Sequence, residues 1–123
     1  MSRLPEELSA PERSRLDDAE YSSEERALLL ALAHQSILAA FQGKQPELTS
    51  VPAHLAEPRG AFTTLYLRGE LHGCVGYVQP IAPLYQTIIM TARAAAFEDT
   101  RFSLVSPEQA PELEVSLSIL SPL

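Results

Sequence analysis

Two apolar stretches, Ala61–Arg68 and Leu71–Gly76, are separated by only Gly69-Glu70, and that spacing constrains this chain more than any other feature. The first is rich in β-branched, aromatic and leucine residues, as a strand requires. A two-residue connection between strands is an antiparallel hairpin, and Gly at the first loop position supplies the positive φ of a type II′ turn. In that register Leu67 faces His72, Tyr66 faces Gly73, Leu65 faces Cys74 and Thr64 faces Val75. His72 and Cys74 then share one face with Leu65 and Leu67. Gly73 and Gly76 weaken a strand, so they belong where a bulge, a backbone or a ligand comes close.

The elements around the hairpin follow from local signals. Ser22 with Glu25 three residues later forms a capping box that opens a helix. Leu30, Ala33, Ile37, Leu38 and Phe41 recur at helical spacing as its core stripe, with His34 packed among them. Gly43 and Pro46 end it. Lys44–Gly60 holds three prolines (Pro46, Pro52 and Pro58), so it reads as a crossover, with His54-Leu55 in one short turn. Pro83, at the first helical position, starts a second helix. Its buried face is Leu84, Ile88, Thr91, Ala92 and Ala95, and its small residues allow close approach to a sheet. Ser106 caps a turn before Leu113–Ile119, which alternates apolar and polar residues as a half-buried strand does. The expected fold is α+β, an antiparallel sheet with helices on one face. Residues 1–20 read as a flexible tail and 21–123 as one domain.

Composition excludes several classes of function. The chain of 123 residues carries a net charge of −7, with only 9 Lys and Arg, so no basic stripe exists for nucleic acid. It holds one cysteine, which rules out an internal disulfide framework and fits a reducing cytoplasm. No apolar run is long enough to span a membrane, and no glycine-rich phosphate loop is present.

Two readings of chemistry centre on Cys74. A Cys-His pair would use Cys74 as nucleophile or acid/base group and His72 as proton partner, although residues two apart on a strand are about 7 Å apart at Cα. The plainer reading is an inert thiol. A structural zinc needs four ligands in close pairs, which His72-x-Cys74 does not supply, so no metal and no cofactor are expected. Downstream, Asp99 and Arg101 lie between two aromatics. They could hold an anionic or polar ligand, or simply bond to each other and to backbone.

Four blocks in one order carry a resemblance: Gly60–Leu65, Gly69–Gly76, Ala95–Phe102 and Leu113–Pro122. Together they resemble the AMMECR domain family over roughly residues 20–123. The family's Leu-Arg-Gly-Cys-Ile-Gly motif is matched at Leu71, Gly73, Cys74 and Gly76, with His72 in place of arginine and Val75 in place of isoleucine. Thr100 and Ser103 stand where prolines are usual around Asp99-Thr100-Arg101-Phe102. The resemblance implies an α+β fold of unsettled activity whose members accompany a Memo-like protein and a radical S-adenosylmethionine enzyme. Gly73, Gly76, Asp99 and Arg101 are the candidate ligand-binding residues of this chain. Family members continue past the strand ending near Leu120, so the chain reads as a domain shortened at its C-terminus. That would leave a sheet edge for a partner or a homodimer. The resulting expectation is a non-catalytic accessory component, with a small Cys74–His72 enzyme as the alternative.

Overall fold

The computed structural model describes residues 20–48 and 50–121. Residues 1–19 of the expected tail lie outside them, whereas Glu20 is held by Arg59. Helix α1 (Ser23–Ala40) opens with the expected capping box. The Glu25 N–H donates to Ser22 Oγ at 3.0 Å, and the Ser22 N–H donates to Glu25 Oε1 at 2.9 Å. Gly43 takes φ +67°, which suits the residue that ends the helix.

The buried stripe of α1 differs from expectation. Leu29, Leu32, Ala33, Ser36 and Ile37 are buried, while Leu30, Leu38 and Phe41 are exposed. The run Ala27–Ala33 is apolar all round, so periodicity alone leaves its rotation undetermined. Packing selects the Leu29–Ile37 face. His34 is half-buried beside that face, and its Nε2–H donates to the Ala110 carbonyl at 2.7 Å. That bond ties α1 to the turn before the last strand.

Strands β1 (Ala61–Leu67), β2 (Glu70–Tyr77) and β3 (Leu113–Ile119) form an antiparallel sheet in the order β2-β1-β3. The fold is therefore α+β, as expected. Helix α2 (Leu84–Phe97) lies across β1 and β2, and α1 packs on α2 and reaches β3. Pro83 is the N-cap and Leu84 the first helical residue, one position later than expected. Ala61, Thr63, Leu65 and Leu67 point from β1 into the helix layer and are buried. There Leu65, Leu84, Ile88, Leu29 and Ile37 form the centre of the core. Each such side chain contributes about 1.5–3 kcal/mol on burial. Thr63 Oγ1 and Thr91 Oγ1 lie 2.8 Å apart, and the Thr91 hydroxyl donates to the Thr87 carbonyl at 2.8 Å.

The hairpin differs from expectation in two linked ways. Its loop is Arg68-Gly69, with φ +53° and +82°, so both central residues have positive φ as in a type I′ turn. Leu67 pairs with Glu70 and Tyr66 with Leu71, but Leu65 pairs with Gly73, leaving His72 as the extra residue of a β-bulge. Cys74 therefore faces Thr64, not Leu65, and Val75 faces Thr63. A one-residue shift exchanges the two sides of a strand. Cys74 accordingly lies on the side away from the helices, and Gly73 lies beneath them.

Candidate functional site

The bulge and the segment after α2 bring Cys74, Asp99 and Arg101 together. The Cys74 N–H donates to Asp99 Oδ2 at 3.0 Å. Arg101 grips the same carboxylate, Nε to Oδ1 at 2.9 Å and Nη2 to Oδ2 at 2.7 Å. Its Nη2 also donates to the Cys74 carbonyl at 3.3 Å. The acid thus accepts from one backbone group of β2 while the base donates to the other. Both groups point away from β1, so the Asp99–Arg101 pair occupies the place where the backbone of a further strand would bond. The Asp99 side chain is only 6% exposed, whereas that of Arg101 is 63% exposed. The Arg101 guanidinium and the Cys74 N–H hold the Asp99 carboxyl far below the usual carboxylate range. The same ion pair holds Arg101 protonated.

The thiol of Cys74 is half-buried, with Sγ 3.2 Å from Thr64 Oγ1. His72 reaches the same corner, its ring 6.0 Å from Phe102 and tilted by 35°. Its Nε2 is buried and has no hydrogen-bond partner among the described residues. Arg101 also sits over the Phe102 ring, 5.3 Å from its centre.

Both motif glycines have packing reasons. A Cβ on Gly73 would come within 3.0 Å of the Ala95 carbonyl carbon and closer still to its oxygen, so the glycine sets the approach of α2 to the sheet. A Cβ on Gly76 would enter the Phe62 ring, which lies over it.

A second polar cluster has no local sequence signal. Arg59, 6% exposed, bonds both carboxylate oxygens of Glu20 and lies 5.9 Å from the centre of the Tyr21 ring. His54 stacks on Tyr21 at 4.5 Å and donates from Nδ1 to Glu25 Oε2 at 2.9 Å. The hydrogen bond to Glu25 raises the His54 pKa, and burial pushes the Tyr21 phenol up to about 12. These residues come from separate elements, and only the fold joins them. Among the described residues no group of three or more His, Cys, Asp or Glu side chains could hold a metal ion. No helix among them is long and apolar enough to cross a membrane.

The fold and the capped hairpin define a small α+β domain built around a Gly-Cys strand and an Asp-x-Arg latch. Residues 30–123 match the AMMECR1 family, and the chain belongs to it. It is 34% identical over 108 residues to a protein of Methanothermobacter thermautotrophicus, covering 85% of this chain and 55% of that one. A protein of Methanopyrus kandleri is 37% identical over 103 residues, covering 80% of this chain and 50% of the relative. The crystal structure of an uncharacterized protein from Pyrococcus horikoshii superposes with a TM-score of 0.72 at 34% identity, covering 77% of this chain and 50% of that one. The chain spans about half the length of the curated relatives it matches.

Proposed function

We propose that this chain is a non-catalytic binding component that works alongside a Memo-like protein and a radical S-adenosylmethionine enzyme. The observation that carries the reading is how the motif spends its reactive groups. The Asp99 carboxylate, the natural orienting acid for a Cys-His pair, is bound to Arg101 and to the Cys74 N–H. The Cys74 thiol, in turn, meets the Thr64 hydroxyl. What remains open is a corner of exposed Arg101 charge beside the Phe102 ring, the kind of anchor that interfaces favour. The test is calorimetric titration of the whole chain with a purified Memo-like protein and, separately, with a radical S-adenosylmethionine enzyme. Association with either, weakened at least tenfold by Arg101→Ala in a variant that melts as a folded protein, is the expected result. No association by the wild-type chain overturns the reading.

One observation favours the alternative, in which Cys74 is a nucleophile and His72 its base: the unpartnered Nε2 of His72. Cys74 alkylation measured against pH decides it. A folded protein whose thiol reacts with an apparent pKa well below about 8.5, moved upward by His72→Phe, supports the enzyme. A thiol that reacts only in denaturant excludes it.

A further inference from the structure

The cluster around His54 ties together the entry to α1, the crossover before β1 and the end of β3. Glu20 and Tyr21 precede α1, Glu25 stands in its first turn, and His54 and Arg59 belong to the crossover. Arg59 adds the third tie, its Nη1 donating to the Leu120 carbonyl at 3.4 Å. The Tyr21 ring is buried against both His54 and Arg59. The docking of Glu20-Tyr21 therefore depends on how firmly this corner holds.

The two ring nitrogens of His54 have different tasks. Nδ1 donates to Glu25 Oε2 at 2.9 Å, and a neutral ring can keep that bond. Nε2 lies 3.7 Å from Glu20 Oε2. On a charged ring Nε2 carries a proton toward that carboxylate. On a neutral ring protonated at Nδ1 it turns a lone pair toward it. Loss of one proton thus exchanges attraction for repulsion at Glu20 and leaves Glu25 bonded.

The surrounding charges act in the same direction. Among the described residues, His54 faces Glu20 and the Tyr21 phenol ahead of α1, Glu25 within it, and Glu57 and Arg59 in the crossover. Arg26 joins this corner through the Tyr21 carbonyl, to which its Nη1 donates at 2.6 Å. Three carboxylates thus meet two fixed cations, and a charged His54 makes the balance even. The His54 side chain is 30% exposed, so protons reach it from solvent.

We propose that His54 is a proton-operated clasp: charged, it holds Glu20 and Tyr21 against the domain, and neutral, it lets them open. The clasp acts fully below the ordinary histidine value of 6.5 and is lost as pH rises through the higher value that the bond to Glu25 gives the folded ring. Exposure of the Tyr21 segment then follows pH near neutrality. This device does not depend on the accessory role proposed above.

Chymotrypsin cleavage after Tyr21 tests it on the whole chain, the cut being identified by the mass of a fragment that begins at Ser22. A buried tyrosine is cut only from an opened state, so the rate follows the opening equilibrium. Comparison with His54→Gln at each pH removes the protease's own pH dependence, and glutamine keeps a donor for Glu25 without a charge. The wild type is expected to be cut about five-fold more slowly than the variant near pH 6, and at nearly the same rate near about pH 8.5. In a second arm the His54 ring is titrated by NMR. Its midpoint is expected to lie above 6.5 and to fall in Glu20→Gln, with the Tyr21 ring signals moving through the same midpoint in the wild type. A ratio of cleavage rates that stays constant across this range overturns the proposal. So does a His54 midpoint indifferent to Glu20→Gln.

Discussion

Gly73 and Asp99 show how much a single position carries in this motif. Gly73→Ala would press its methyl group against the Ala95 carbonyl, which is helix backbone and cannot rotate aside. The expected loss is about 1–3 kcal/mol, read as a lower urea midpoint. Asp99 acts through charge. Its carboxyl has a lowered pKa in the folded state, so its contribution is complete above the ordinary value of 3.8 and is lost as pH falls through the lower folded value. Asp99→Asn keeps an acceptor for the Cys74 N–H but loses the ion pair. The gap in urea midpoint between variant and wild type should be constant above about pH 5 and narrow below it. A gap independent of pH down to pH 2.5 would show that the ion pair contributes nothing to folding.

Between elements, the buried bond joining β1 to α2 is asymmetric. Thr91 has a second partner in the Thr87 carbonyl, whereas among the described residues the hydroxyl of Thr63 has only Thr91. Thr91→Val thus strands a polar group at a site with no exposure, while Thr63→Val leaves Thr91 satisfied. Thr91→Val should cost about 1–3 kcal/mol and Thr63→Val clearly less, with the double variant recovering part of the loss. Equal costs for the two single variants would contradict this account. Elements were legible in the sequence where a signal is local. The Ser22–Glu25 capping box, the Gly43 stop and the alternation of β3 each sit within one element. The rotation of α1 was not, because an alanine- and leucine-rich run offers several equivalent faces.

At the scale of the whole molecule, the α+β class followed from the motifs and their order. The side of the sheet on which Cys74 sits did not. It depends on one bulged residue, His72, and on a turn built from Arg68-Gly69, and either choice leaves the same alternating pattern of residues. The Glu20–His54–Arg59 cluster was equally out of reach, since Glu20 and Arg59 lie 39 positions apart.

The latch across β2 has a consequence for how copies of the chain can accumulate. A sheet open at both edges can add molecules without end, and that is how fibres grow. Here Asp99 and Arg101 close one side at mid-strand. A strand arriving on that side would first have to displace a buried carboxylate and the arginine that grips it. Undoing the latch would bare the Cys74 N–H and C=O and make that side receptive to a passing strand.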